Sequence, residues 1–204
     1  MTQQSIRRLG MILGILAAGL SACSEPVKTE LPAQAAPTAQ IALQNAKDAY
    51  QRKDYPQAAD WFRKAAELGD AKGQFNLGLF YSEGKGVAQD YAQAAQWFRK
   101  AADQGLAQAQ NNLGFLYQQG QGVAKDPALA AQWFRKAAEQ GFPQAQKNLG
   151  LAYRDGLGVS KNPTQAGLWL GKAAAQGDAE AQAALKEIAR GAKKYSKAIK
   201  PPKP

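Results

Sequence analysis

The chain has 204 residues, with 26 lysines and arginines against 16 aspartates and glutamates, one cysteine and no histidine. The lack of histidine excludes imidazole metal sites and the Ser-His and Cys-His catalytic pairs, and one cysteine excludes an internal disulfide. We therefore predict no catalytic residue, no metal site and no cofactor.

Residues 1–22 are typical of a secretory signal peptide. Arg7-Arg8 precedes an apolar run from Leu9 to Leu20, and its roughly twelve residues are too few to span a bilayer, which needs about 20. The run leads into Leu20-Ser21-Ala22-Cys23, which resembles the bacterial lipobox, where the cysteine is acylated. We expect Cys23 to anchor the protein to a membrane through several acyl chains. The alternative is an unpaired thiol in an ordinary signal peptide.

The residue after Cys23 bears on its destination. It is Ser24 rather than aspartate, which resembles the default for sorting to the outer membrane of Gram-negative bacteria. We therefore expect an outer-membrane lipoprotein of the cell envelope that faces the periplasm. Residues 23–40 are proline-rich with little to bury, and we predict a disordered linker.

A 36-residue pattern occurs three times from Tyr55 to Asn162 and then begins again. The first half of each copy places alanines and one large apolar residue at helical spacing, with charged residues on the opposite face. The second half repeats Leu-Gly-x-x-Tyr-x-x-Gly-x-Gly-Val and is also helical. Each unit is therefore predicted to be a helical hairpin, and a fixed period of this length is typical of stacked repeats.

The boundaries of the tryptophan-bearing helices carry capping signals. The predicted N-caps are Asp54, Asp90, Asp126 and Asn162. Pro127 and Pro163 occupy first helical positions, and the predicted capping-box glutamines are Gln57, Gln93 and Gln165. The predicted terminators are Gly69, Gly105, Gly141 and Gly177. Because Asp90 and Asp126 recur with the repeat, we interpret them as caps rather than catalytic carboxylates.

The recurring glycines predict close packing. Gly78, Gly114 and Gly150 suit the approach of a neighbouring backbone. The Gly-x-Gly-Val segments are interpreted as structural turns with the valine in the core, since no Gly-Lys-Ser/Thr follows them. The four tryptophans are predicted to pack in the core.

These motifs resemble the Sel-one-like repeat, a relative of the tetratricopeptide repeat, over about residues 55–185. The resemblance implies an all-α fold, an α/α superhelix of stacked hairpins with about nine helices, spanning residues 41–190. It also implies a non-enzymatic protein that holds other proteins.

The two ends of the repeat domain depart from the pattern. Ile41–Arg52 is predicted to be an N-terminal capping helix, followed by a short Lys53-Asp54 turn. The last helix, Ala179–Arg190, has Lys186 where earlier units have glycine, which predicts a C-terminal cap. Residues 191–204 are predicted to be a basic disordered tail that either contacts an anionic surface or only aids solubility. The repeats themselves are nearly neutral, which excludes a nucleic-acid groove.

The resemblance also implies a binding groove, because the first helix of each hairpin in related repeats lines the concave side. Positions that vary on this side are free to recognise a partner. The predicted groove residues are Lys72, Phe75, Asn76, Leu79, Glu83, Gln108, Asn111, Asn112, Phe115, Gln119, Gln144, Lys147, Asn148, Leu151 and Asp155. This amide-rich surface with apolar anchors suits an extended peptide or protein edge. The alternatives are a solvated groove without a ligand and, for the recurring asparagines, a role in the fold.

Three functions follow. The first is a lipid-anchored scaffold or adaptor that binds a protein in the groove. The second is an immunity-type inhibitor that covers a secreted toxin. The third is an enzyme acting on β-lactams or the cell wall, by resemblance to a cysteine-rich branch of the family, but the disulfides of that branch cannot form with one cysteine.

Overall fold

The computed structural model describes the backbone of residues 38–198 and the side chains of residues 38–191. The predicted signal peptide, Cys23 and most of the predicted linker lie outside the described residues. The described backbone forms nine α-helices and no strand. They are α1 (Ala39–Gln51), α2 (Tyr55–Glu67), α3 (Ala71–Glu83), α4 (Tyr91–Asp103), α5 (Ala107–Gln119), α6 (Pro127–Glu139), α7 (Pro143–Asp155), α8 (Pro163–Ala175) and α9 (Ala179–Ala198).

Each helix packs chiefly against the helices that precede and follow it in the chain. The most extensive contacts join α1 to α2, α3 to α4, α5 to α6 and α7 to α8. These pairs are the predicted helical hairpins, and the predicted all-α superhelix of stacked hairpins is confirmed. No helix between residues 38 and 198 is long and apolar enough to cross a membrane.

The core consists mainly of alanine, with a large buried side chain at the same position of each second helix. These side chains are Phe62, Phe98, Phe134 and Leu170. The last three fit against Gly78, Gly114 and Gly150. A Cβ at Gly78 would lie 2.6 Å from Cδ1 of Phe98, too close for any real contact. The predicted close approach at this glycine is therefore confirmed, but the neighbour is an aromatic side chain rather than a backbone.

The tryptophans occupy equivalent positions, as the period predicts. Trp133 is buried, and Trp61, Trp97 and Trp169 are partly buried against the core. In each unit a lysine three residues later places its Nζ 3.9 to 4.1 Å from the indole centroid. The predicted packing role is confirmed, and the face of each indole ring also carries a lysine ammonium in a cation–π contact.

The Gly-x-Gly-Val segments are structural turns, as predicted. Gly86 has φ of 69°, and a Cβ there would lie 2.3 Å from the carbonyl carbon of Tyr55. Both observations require glycine, because the loop closes directly on the start of α2. Val87 and Val123 pack against the core clusters from this loop.

The four predicted N-caps are confirmed. Asp54, Asp90, Asp126 and Asn162 each accept a hydrogen bond from the backbone N–H three residues later, at 2.9 to 3.2 Å. The predicted reciprocal bonds from Gln57, Gln93 and Gln165 are wrong. The N-cap backbone N–H groups instead donate to carbonyls of the preceding helix, namely Ala49, Tyr81, Tyr117 and Tyr153. Because each N-cap N–H already donates to a carbonyl of the preceding helix, it is not available to the glutamine side chain of a capping box.

Both end helices differ from their predicted bounds. α1 begins two residues early, because Thr38 caps it and accepts from Ile41 N at 3.4 Å. α9 continues to Ala198, so its predicted end at Arg190 is wrong, and residues 191–198 are helical rather than disordered. Gly191 costs a helix only about 1 kcal/mol relative to alanine, and no proline occurs between the start of α9 and Pro201.

Candidate protein-interaction surface

The predicted groove residues lie on α3, α5 and α7, the first helices of three hairpins, and we call this set the first-helix surface. Its exposed members are Lys72, Glu83, Gln108, Phe115, Gln119, Gln144 and Asp155. Its partly buried members are Phe75, Asn76, Leu79, Asn112, Asn148 and Leu151. Asn111 and Lys147 are buried, with 7% and 8% of their surfaces exposed. Most of the set is therefore accessible, but two members are not.

Asn111 and Lys147 connect neighbouring hairpins. Asn148 Nδ2 of α7 donates to Asn111 Oδ1 of α5 at 3.0 Å. Lys147 Nζ of α7 donates to Glu180 Oε2 of α9 at 2.6 Å. Asn111 and Lys147 are therefore engaged by residues of the following helices and are not free to bind a partner. Buried polar groups such as these need hydrogen-bond partners within the protein.

The four predicted apolar anchors are not equivalent. Phe75 and Leu79 pack against the central core, and the Phe75 ring centroid lies 5.8 Å from that of Phe98. Leu151 packs against the C-terminal core cluster. Only Phe115 is fully on the surface, with 46% of its area exposed. It is the one large apolar group of this set that a partner reaches without displacing the core.

A cleft between α1 and α3 adds residues that the sequence analysis missed. It has a volume of about 320 Å³, and Tyr50, Phe62, Leu79 and Phe80 supply its apolar side chains. Its polar residues are Lys47, Gln51, Asn76 and Glu83. The cleft thus brings three predicted groove residues together with α1. α1 was predicted only as a cap, and the one signal of a wider role is Tyr50, a large aromatic residue that is exposed on this helix.

Tyr50 is held in place by the first Gly-x-Gly loop. Lys85 Nζ donates to the Tyr50 hydroxyl at 2.7 Å and lies 4.4 and 4.5 Å from the ring centroids of Tyr50 and Tyr55. The hydrogen bond to Tyr50 raises the pKa of Lys85 above its ordinary value. The later loops have Gln121 and Leu157 at this position. The lysine therefore occurs only in the loop that contacts Tyr50, among the three Gly-x-Gly loops.

An ion pair lies at the other end of the first-helix surface. Arg154 Nε and Nη2 donate to the two carboxylate oxygens of Asp155 at 2.8 and 2.9 Å. These bonds hold the pKa of Asp155 below its ordinary value. Glu187 of α9 lies 3.6 Å from Arg154 Nη1. Among the described residues, no group of three or more acidic, cysteine or histidine side chains is arranged to hold a metal ion.

Four segments match the sequence model of the Sel1 repeat, at residues 44–70, 71–106, 107–142 and 143–178. The chain belongs to the Sel1 repeat family. The last three Sel1 segments coincide with the hairpins α3–α4, α5–α6 and α7–α8. The first covers most of α1 and α2, so the Sel1 repeats begin earlier than the predicted Tyr55.

Solved structures of several other proteins resemble this one. A protective antigen of uropathogenic Escherichia coli with an SLR fold shares 46% identity over 71% of this chain and 32% of its own, with a TM-score of 0.70. A Sel1 repeat protein from Oxalobacter formigenes shares 37% identity over 74% of this chain and 63% of its own, with a TM-score of 0.68. Helicobacter pylori cysteine rich protein B shares 27% identity over 70% and 96%, with a TM-score of 0.50.

The chain thus spans about a third of the first relative and less than two thirds of the second. Comparison with curated protein sequences gives no significant match. Sel1 repeats are a non-enzymatic fold, and proteins that contain them generally mediate protein–protein interactions. This supports the predicted class of function, while the particular residues of the first-helix surface stay a prediction.

Proposed function

We propose that this protein is a non-enzymatic adaptor that holds an extended segment of another protein on its first-helix surface. The observation that carries the proposal is the cleft between α1 and α3, where Tyr50, Leu79 and Phe80 form an apolar site with polar residues around it. Its volume of about 320 Å³ is near the lower end of the range for ligand pockets. It suits one apolar side chain of a partner rather than a whole small molecule.

The polar residues suit the backbone of that segment. Asn76 Nδ2 donates to the Lys72 carbonyl of its own helix at 2.7 Å, which leaves Asn76 Oδ1 to accept from a peptide N–H. The exposed amides of Gln108 and Gln119 provide both donors and acceptors. Phe115 provides a second apolar contact on α5. Alternating apolar and amide contacts are characteristic of extended-peptide recognition.

A photocrosslinking experiment tests this surface. A photoreactive phenylalanine analogue replaces Phe115 in the full chain, expressed in its own bacterium, and in a control it replaces Leu168 of α8. The two side chains are similarly exposed, at 46% and 50%. We expect a protein adduct from position 115 and none from 168. Equal adducts from both positions, or none from position 115, contradict the proposed surface.

We also propose that the protein is tethered to the outer membrane through acylated Cys23 and faces the periplasm. The lipobox-like tetrad and the apolar run before it support this. A Cys23→Ser variant is expected to leave the membrane fraction, because one lost anchor removes all the acyl chains. Its full retention in washed membranes would contradict the anchor.

A further inference from the structure

Two equivalent clefts lie on the tryptophan-bearing helices and share no residue with the first-helix surface. The α4 cleft lies between α4 and the Gly122–Val123 segment of the next loop and has a volume of about 410 Å³. The α6 cleft lies between α6 and Gly158–Val159 and has a volume of about 370 Å³. Every residue that lines the α4 cleft has its counterpart 36 positions later in the α6 cleft. The molecule therefore presents the same site twice.

Each cleft contains an arginine and a lysine that aromatic residues hold in place. In the α4 cleft, Arg99 Nη2 donates to the Tyr117 hydroxyl, and Lys100 Nζ lies 3.9 Å from the Trp97 ring centroid. These contacts restrict both cations before any ligand arrives, which lowers the entropy cost of binding. Arg99 uses only one of its five N–H donors in this way.

The α6 cleft repeats this arrangement. Arg135 Nη2 donates to the Tyr153 hydroxyl at 2.5 Å, and Lys136 Nζ lies 3.9 Å from the Trp133 ring centroid. Glu139 also lines this cleft, and Asp103 occupies the equivalent position at the end of α4.

These four cations have no carboxylate partner among the described side chains, since none forms a salt bridge. The equivalent arginine of the preceding unit does have one: Arg63 Nη1 lies 2.6 Å from Asp60 Oδ1. Position 60 becomes Gln96 and Gln132 in the next two units. Asp60 thus neutralises the arginine of the first copy, whereas the arginines of the next two copies remain available to an external anion.

We propose that the α4 and α6 clefts bind an acidic peptide segment of a protein, with a carboxylate in each cleft. The arginine fork matches the two oxygens of a carboxylate. Ala92, Ala95 and Val123 give the α4 cleft an apolar lining that suits the aliphatic stem of glutamate. Because the cations lie inside two separate clefts, the arrangement suits side chains of a peptide better than a flat membrane surface.

A fluorescence-anisotropy experiment with the full chain tests the proposal. The probe is a labelled peptide of alternating glutamate and serine, about 12 residues long, which extends to about 40 Å. The matched probe has glutamine in place of glutamate. We expect binding of the glutamate peptide that weakens as salt is added, and no binding of the glutamine peptide. Equal binding of both peptides overturns the proposal.

Substitutions within the clefts distinguish binding in the clefts from attraction to the overall positive charge of the protein. Arg99→Gln is expected to weaken binding about tenfold, since a charge-assisted hydrogen bond is lost. The double variant Gln96→Asp with Gln132→Asp copies the natural Arg63–Asp60 arrangement and should abolish binding. Asp60→Gln should strengthen binding several-fold by opening a third cleft. Circular dichroism confirms that each variant remains folded.

Lys186→Gln removes one positive charge from an exposed position on α9, outside both clefts and the first-helix surface, and is the matched control. We expect it to leave peptide affinity unchanged, and a loss as large as that of Arg99→Gln overturns the proposal. Vesicles rich in phosphatidylglycerol are tested in parallel. If Gln96→Asp with Gln132→Asp releases the protein from vesicles while the glutamate peptide fails to bind, the clefts serve a membrane and the proposal is wrong. The result does not depend on the partner of the first-helix surface.

Discussion

Gln104, at the end of α4, donates from Nε2 to Gln74 Oε1 of α3 at 2.8 Å and to the Gly69 carbonyl at 3.1 Å. Gln74 is buried and in turn donates to the Ala66 carbonyl at 3.2 Å. The pair therefore joins the end of the α3–α4 hairpin to the turn that connects this hairpin to the preceding one, α1–α2. The same bridge recurs as Gln140–Gln110 and Gln176–Gln146.

The first unit has no such bridge. Its residue at the position of Gln104 is Leu68, with 55% of its area exposed. No hairpin precedes α1 in the part of the chain that the structure describes, so a glutamine at position 68 would find no equivalent partner there. The departure of the sequence at this position follows from its place at the end of the array.

Loss of the glutamine bridge is expected to destabilise the array. Gln104→Ala removes two hydrogen bonds and should lower the free energy of unfolding by about 1–2 kcal/mol. Urea unfolding followed by circular dichroism measures this change. Gln96→Ala is the control, because Gln96 is exposed on the same helix, and it should be neutral. If Gln74→Ala and Gln104→Ala have fully additive effects, the two residues do not act as a pair.

A methyl group at Gly78 is expected to be costly. The added Cβ would lie 2.6 Å from the Phe98 ring, so Gly78→Ala should destabilise by about 1–3 kcal/mol through overpacking. Gly167→Ala in α8 is the matched control, because nothing lies within 4 Å of its Cβ. That variant should gain up to about 1 kcal/mol from helix propensity. Thermal or urea unfolding of both variants measures the change in the free energy of unfolding. A change of the same sign for the two variants would contradict the steric argument.

The Lys147–Glu180 pair is expected to respond unequally to the loss of each partner. The Lys147 side chain is 10% exposed and the Glu180 side chain 65% exposed. Glu180→Gln leaves a buried ammonium without its carboxylate and should destabilise by about 1 kcal/mol or more. Lys147→Met removes the charge with similar volume and should be nearly neutral. Urea midpoints compare the two, and a larger loss for Lys147→Met would show that the ion pair itself stabilises the α7–α9 contact.

Asp155 is expected to contribute a small stability that depends on pH. Its pKa in the folded state is lowered by the hydrogen bonds from Arg154, whereas an unperturbed aspartate titrates near about 3.9. The contribution is therefore present above about pH 4 and is lost as pH falls through the lowered folded pKa. Because Asp155 is exposed, this contribution should stay below about 1 kcal/mol. Asp155→Asn should flatten the acid limb of a plot of the unfolding midpoint against pH, and an unchanged acid limb would contradict this contribution.

The repeat made several features of the site region predictable. Asp54 and Gly69 mark a helix start and end through local chemistry, and both predictions are confirmed. Gly78 recurs in three units because each copy meets a large side chain in the same place. Features that depend on a single hairpin, or that recur in every hairpin, can therefore be predicted from the sequence repeat.

The sequence by itself determined the hairpins, their stacking and the position of the first-helix surface on α3, α5 and α7. The tertiary structure alone decided which members of that surface stay accessible. Asn111 and Lys147 vary like recognition residues, yet Asn148 and Glu180 of the next hairpins cover them. The tertiary structure also places Tyr50 of α1 and Leu79 of α3 in the lining of one cleft. A varying position carries no periodic signal, and its environment is set by side chains about one repeat away in the chain.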